Sequence, residues 1–211
     1  MRILGLTGSI GMGKSTAASM LRRLGIPVYD ADAAVHRLFA TGGAAVAPIG
    51  RAFPSAIRDG AVDRQILGGL VFKDPVALKR LEGIVHPLVR IEEGRFLRRM
   101  AIRRAALVVL DIPLLFESNG QVRCDKVAVV WAPAFLQTQR VLRRPGMDRA
   151  KLAAIRARQT ADSEKKRRAD FVVPTGLGRR ESLRHLMRIV TLMRGMRGQV
   201  WPPRISVRHR V

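Results

Sequence analysis

The chain opens with Arg2-Ile3-Leu4-Gly5-Leu6-Thr7, a short apolar run closed by a glycine at position 8, and this pattern predicts a strand buried on both faces. From Ser15 to Leu24 the period changes. Ala17, Met20, Leu21 and Leu24 fall at i, i+3, i+4 and i+7, one face of a helix, and Gly25 is placed to stop it. Pro27-Val28-Tyr29-Asp30 predicts a second short strand, so the chain begins as strand, glycine loop, helix, strand, the start of a βαβ unit. Further strands are predicted over Ala105–Leu110, ending in Asp111, over Lys126–Trp131, ending before Pro133, and over Asp170–Val173, stopped by Pro174. From about Ala33 to Arg104 strand character almost disappears. Helices are predicted there at Ala34–Ala40, Arg64–Phe72, Pro75–Val85 and Pro87–Arg104, and one more starts at Ala134 and carries Arg140, Arg143 and Arg144. The expectation is an α/β core with a parallel sheet, interrupted by a helical insertion.

Composition changes this picture in one respect. The 211 residues, 47% of them hydrophobic, suit one compact domain with small inserted parts. Lys and Arg total 39 against 16 Asp and Glu, a formal net charge of +23, and only seven of the 39 are Lys. Such a charge attracts polyanions: nucleic acid, acidic lipid or phosphorylated small molecules. The single Cys124 excludes an intramolecular disulfide and a cysteine-based zinc cluster. No apolar run is long enough for a transmembrane helix, and glycine interrupts the N-terminal apolar stretch too early for a good signal peptide. A cytoplasmic protein with no membrane partner is expected.

The candidate chemistry lies in Gly8-Ser9-Ile10-Gly11-Met12-Gly13-Lys14-Ser15, which fits G-x-x-x-x-G-K-[ST] without a mismatch. Glycines allow the backbone to wrap phosphate oxygens with its N–H groups turned inward. The helix that follows adds the partial positive charge of its N-terminus. Lys14 is expected to reach the β- and γ-phosphates of ATP, and the Ser15 hydroxyl to ligate Mg²⁺. Gly8, Ile10, Gly11, Met12, Gly13, Lys14, Ser15 and Thr16 are thus the expected nucleotide-binding residues. The fold class becomes a P-loop NTPase-type three-layer α/β fold. The only asparagine is Asn119, followed by Gly120, so the Asn-Lys-x-Asp motif of guanine-specific switches is missing and a small-molecule kinase is the better class.

Several further segments, taken with this loop, resemble dephospho-CoA kinase. They are Gly5–Thr16 (GLTGSIGMGKST), Val28–Leu38 (VYDADAAVHRL), Val62–Arg64, Leu81–Arg90 (LEGIVHPLVR), Asp111–Glu117 (DIPLLFE), Gln139-Arg140, Gln159 and Glu164–Val173 (EKKRRADFVV). The resemblance runs to about Leu186. It implies transfer of a phosphoryl group from ATP, with Mg²⁺, to the ribose 3′-hydroxyl of dephospho-CoA, the last step of coenzyme A synthesis. It also implies a parallel core (1–33 with 105–135 and 168–197), a helical substrate domain (34–104) and a lid (136–167). Outside the resemblance, the proline- and arginine-bearing residues 198–211 are expected to form a loosely attached basic tail. A monomer is expected.

Asp30 and Asp32 lie at a strand end, where α/β proteins place ligand groups. Either is a candidate to orient and deprotonate a hydroxyl nucleophile, and either can instead cap the helix that follows. The resemblance favours Asp32 as the base. Asp111 ends an apolar strand, the position of a carboxylate that reaches Mg²⁺, or of one that bonds neighbouring backbone. By resemblance, His86 and Arg90 contact the substrate, with His86-Pro87 opening a helix. Leu114 and Phe116 form an apolar wall with Glu117 near its polar end, and Arg140 and Arg144 are lid residues, Arg140 a catalytic one. Where the family often carries an acidic or Asn-containing turn, this chain has Pro174-Thr175-Gly176, which leaves the adenine contacts open. A nucleic-acid-binding P-loop protein is the competing reading of the charge. Only 5% of residues are aromatic and they form no stacking platform, so no specific nucleic-acid partner is expected.

Overall fold

The computed structural model describes residues 1–72 and 74–202. The chain divides into two compact units, one of Met1–Tyr29 with the segment from Met100 onward, the other of Asp30–Arg99.

The first unit is built on β1 (Arg2–Thr7), β5 (Leu107–Asp111), β6 (Lys126–Trp131) and β7 (Phe171–Pro174), and the short β2 (Val28–Asp30) completes a sheet of order β2-β5-β1-β6-β7. The β1–β5, β1–β6 and β6–β7 pairs are parallel. Helix α1 (Lys14–Arg23) packs on one face with α9 (Arg179–Gly195). The alternation of the strands explains the core. Leu4, Leu6, Leu107, Val109, Ala128 and Val130 point to that face and meet Ala17, Leu21, Leu186, Ile189 and Met193. The intervening Ile3, Val108, Leu110, Val127 and Val129 are buried as well, so both faces are covered and the strands read as continuous apolar runs. Because β1 is central and its chain crosses over to the far edge strand β2, the carboxyl end of β1 is a topological switch point, the place where open α/β sheets bind ligands. The chain leaves β6 into α6 (Ala134–Leu142), α7 (Arg149–Ala157) and α8 (Asp162–Arg168) before re-entering the sheet.

The second unit contains α2 (Ala31–Phe39), α3 (Val46–Ala52), a hairpin of β3 (Ile57–Arg58) and β4 (Ala61–Val62), α4 (Arg64–Phe72) and most of α5 (Pro75–Ile102). Leu38, Phe39, Ile49, Phe53, Leu67, Val71 and Val85 form its core.

Four details differ from the sequence expectations. The two helices expected around Pro87 are one helix, with Pro87 inside it. Proline forfeits the hydrogen bond to the carbonyl of Gly83, but Gly83 is exposed to solvent, and Val85, Leu88 and Val89 on either side are held by the core. The helical segment contains a two-residue-per-strand hairpin, its turn set by Asp59 and Gly60 at φ 49° and 73°. The expected helix from Ala134 ends at Leu142, so Arg143 and Arg144 lie in the turn before Pro145 and Gly146. A residue preceding proline is driven away from helical geometry. The start of the tail is also attached. Asp125 Oδ1 accepts the N–H of Val200 at 3.0 Å while its Oδ2 accepts that of Ile3 at 2.6 Å. The tail beyond Pro202 lies outside the described residues. No helix of the described residues is long and apolar enough to cross a membrane.

Candidate active site

The phosphate loop leaves the carboxyl end of β1 and ends at Lys14, the first residue of α1. Two glycines in it are required by space and conformation. A Cβ on Gly8 would lie 2.3 Å from Val130 Cγ2 and 2.9 Å from the Val130 carbonyl oxygen, so the loop could not pass over β6. Gly13 has φ +91°, and a Cβ there would stand 3.2 Å from the Thr175 side chain. The parallel register sets Asp111 opposite Leu6, one residue short of the strand end. Its carboxylate therefore stands beside the loop, where Lys14 Nζ donates to Oδ1 at 2.6 Å. Asp111 is 3% exposed and Lys14 15%, a sheltered ion pair at the carboxyl end of the sheet. Ser15 and Thr16 are exposed at the start of α1. Among the described residues no group of three or more His, Cys, Asp or Glu forms a metal cage. The hard oxygens of Ser15 and Asp111 nonetheless suit Mg²⁺, which binds through one or two protein oxygens together with substrate phosphates.

The segment from α6 to α8 closes on the first half of the loop. Gln137 Nε2 donates to the Ile10 carbonyl at 2.8 Å, and the Ile10 N–H donates to Gln159 Oε1 at 3.2 Å. Ser9 Oγ donates to Asp162 Oδ1 at 2.6 Å and accepts from Lys165 Nζ at 3.2 Å. Lys165 is fully buried, 3.0 Å from Glu117 Oε1. Burial by itself would raise the Glu117 pKa. The N–H groups of Thr160 and of Glu117 itself, together with the Lys165 ammonium, outweigh it and hold the carboxyl below its ordinary value. On the second half of the loop, Arg140 donates from Nη2 to the Thr175 carbonyl at 2.7 Å, and from Nη1 to Thr175 Oγ1 at 3.2 Å and the Gly11 carbonyl at 3.4 Å. Thr175 Oγ1 donates to the Met12 carbonyl at 2.6 Å. Arg140 thus braces the phosphate loop against the turn after β7, while Arg144 is exposed beyond α6.

The remaining expected residues fall as follows. Leu114 is 46% exposed, whereas Phe116 is 5% exposed beneath the Arg168 guanidinium, 4.4 Å from the ring centre. Glu117 faces Lys165 and the Thr160 N–H. In the second unit, Asp30 is the N-cap of α2, its Oδ1 accepting the Ala33 N–H at 2.9 Å. Asp32, in the first turn, is exposed, with no hydrogen bond or ion pair among the described residues. His86 sits in mid-helix, a correction to the expected helix start. With Lys79, Glu82, Gly83, Pro87 and Arg90 it lines an open groove of about 440 Å³ along one face of α5.

Sequence reasoning did not single out Gln137, Asp162 or Lys165. Lys165 stands in a run of four cations, Lys165-Lys166-Arg167-Arg168, and nothing in that run marks the one that is buried. Helical spacing does not single it out either, since Lys166 stands four residues from Asp162 and Arg167 and Arg168 three and four from Glu164.

Residues 2–177 match the family model described as dephospho-CoA kinase. A dephospho-CoA kinase of Paramagnetospirillum magneticum is 65% identical over 197 residues, 93% of each chain. One of Rhodospirillum rubrum is 58% identical over 91% of this chain and 92% of its own. Among solved structures, a Thermus thermophilus protein superposes with TM-score 0.81 at 39% identity, covering 90% of this chain and 96% of that one. Dephospho-CoA kinase from Campylobacter jejuni shares the fold, with TM-score 0.62 at 22% identity over 91% and 97% of the two chains.

Proposed function

The chain belongs to the dephospho-CoA kinase family, and on that premise we propose how its residues transfer the γ-phosphoryl group of ATP to the ribose 3′-hydroxyl of dephospho-CoA, giving CoA and ADP. The observation that carries the proposal is the intact phosphate loop with Lys14 held on Asp111 at 2.6 Å.

The loop N–H groups and the α1 N-terminus cradle the ATP phosphates. Lys14, held beside the loop by Asp111, neutralises the β and γ oxygens as a point charge. Ser15 and Asp111 would hold Mg²⁺, which when bound offsets the charge shared by the β- and γ-phosphates. Asp32 orients the 3′-hydroxyl and accepts its proton. This assignment is supported by Asp30, which already serves as the helix cap and so leaves the Asp32 carboxylate uncommitted. His86 and Arg90, one helical turn apart and joined in their groove by Lys79, suit the diphosphate of dephospho-CoA, and Leu114 its apolar parts. Glu117 serves this site by holding the lid. Arg140 fixes the turn that carries Thr175 beside the loop, and Arg144 bears on the nucleotide from the lid. ATP and dephospho-CoA are taken as the partners of a cytoplasmic monomer.

The test is ADP release from ATP with dephospho-CoA as acceptor, compared with adenosine and nucleoside monophosphates, and ³¹P NMR of the product. A new 3′-phosphomonoester on dephospho-CoA alone is expected. Equal turnover with the other acceptors would overturn the assignment.

A further inference from the structure

We propose that Lys165 is a positioning residue for phosphoryl transfer: its buried ammonium, acting with Asp162 on the same helix, grips the Ser9 hydroxyl and sets the first turn of the phosphate loop. The inference rests on reading that loop as the ATP site.

The two halves of the loop are held differently. Gly13 to Ser15 run straight into α1, and the helix fixes their backbone. Ser9 and Ile10 precede any helix and follow a glycine, so local structure does little to hold them. What fixes them comes from the α6–α8 segment. The Ile10 N–H and carbonyl are taken by Gln159 and Gln137, and the Ser9 hydroxyl is taken twice by α8. A hydroxyl has one proton to donate and lone pairs to accept with. Here the proton goes to Asp162 at 2.6 Å and a lone pair receives the Lys165 ammonium at 3.2 Å, so its rotation is determined from both sides. The Ser9 carbonyl in turn accepts the Met12 N–H at 3.1 Å, which closes the first turn of the loop. Movement of α8 is thereby coupled to the shape of the surface on which the phosphates lie.

A plainer role for Lys165 would be to neutralise Glu117. The two roles separate because a buried ion pair can be replaced by neutral groups of similar size with little loss of stability. Lys165→Met with Glu117→Gln removes both charges and leaves neither group stranded. If Lys165 positions Ser9, this double variant keeps a melting temperature close to the wild type. Its kcat/KM for ATP still falls roughly tenfold or more, with KM for dephospho-CoA within about twofold of the wild type. Wild-type kcat/KM for ATP in the double variant would overturn the proposal and leave Lys165 a counter-ion. Ser9→Ala gives an independent reading that removes a single oxygen. It should lower kcat/KM for ATP in the wild-type background and add less than about twofold in the neutral-pair background, since coupled residues are not additive. Full additivity, or no effect of Ser9→Ala in the wild type, would also overturn it. Lys14→Ala distinguishes the underlying reading. Turnover surviving that change means the loop is not the ATP site, whereas turnover lost in Lys14→Ala but kept in the neutral-pair variant counts against Lys165 alone.

Discussion

Lys14 and Asp111 show how a single strand position places a charged pair beside the phosphate loop. The parallel register sets Asp111 opposite Leu6, and the short ion pair draws the lysine into a sheltered position where charge is poorly screened. Lys14→Ala should therefore abolish measurable transfer in a steady-state assay, and because it leaves the Asp111 carboxylate buried without that cation it should lower the melting temperature as well. Asp30 and Asp32, two residues apart, are expected to fail in different ways. Asp30→Ala removes the cap of α2 and should cost about 0.5–2 kcal/mol of stability by denaturant unfolding. Asp32→Asn preserves shape but not the proton acceptor. Turnover should fall roughly 10²–10⁴-fold, with ATP affinity by calorimetry nearly unchanged. The loss sits near the lower end if the transition state is loose and early deprotonation matters little. Unchanged turnover with lost stability would move the base elsewhere.

The elements α6 to α8 act together because their polar side chains end on the loop, at the Ile10 and Gly11 backbone and the Ser9 hydroxyl, and not on one another alone. Arg144, exposed past the end of α6, should on replacement by Ala lower kcat more than dephospho-CoA affinity, the signature of a group engaged only on closure. Equal kinetics in Arg144→Ala and the wild type would assign it to the solvated face. Glu117 adds a pH dependence. Its folded pKa is lowered, so the stability it contributes is fully present above the unfolded value of about 4.3 and is lost as pH falls through the folded value. Melting curves of wild type and Glu117→Gln should differ by a constant amount near neutrality and converge as pH falls through the folded value. A gap that persists at lower pH would mean that burial, not pairing, dominates at Glu117.

At the scale of the whole molecule, the parts distant in sequence are tied through few but specific points. Asp125 joins β1, through the Ile3 N–H, to the chain after α9, through Val200. Gly198 lies so close to Met1 that a Cβ would approach the Met1 carbonyl oxygen to 2.4 Å. A tail read from composition as loosely attached is thus docked at its start. Removing Gly198–Val211 strips donors from a partly buried carboxylate and should cost about 1–3 kcal/mol by thermal unfolding, whereas removal of only the residues after Pro202 keeps those bonds. Equal melting temperatures for the two truncations would show that the Asp125 contacts contribute nothing. The net charge of +23 acts at this scale too. It favours phosphorylated substrates at long range, an effect that salt screens beyond roughly 10 Å.

The strands, α1 and the phosphate loop were legible in the sequence because each rests on local rules. Apolar runs closed by glycine or proline, a helical period from Ala17 to Leu24, and glycines that a phosphate cradle demands are all properties of neighbouring residues. Asp30 and Asp32 were both recognisable as candidates for the same reason. Tertiary structure alone decided which of them caps α2. It also decided that α5 continues through Pro87, because core side chains on both sides compensate for one missing hydrogen bond. It singled out Lys165 among four consecutive cations, since burial depends on what α8 packs against and not on the run itself. The order β2-β5-β1-β6-β7 brings Lys14 to Asp111 across 97 residues of sequence and Ser9 to Lys165 across 156. Pairings at such separations arise from register and packing, which no local pattern encodes.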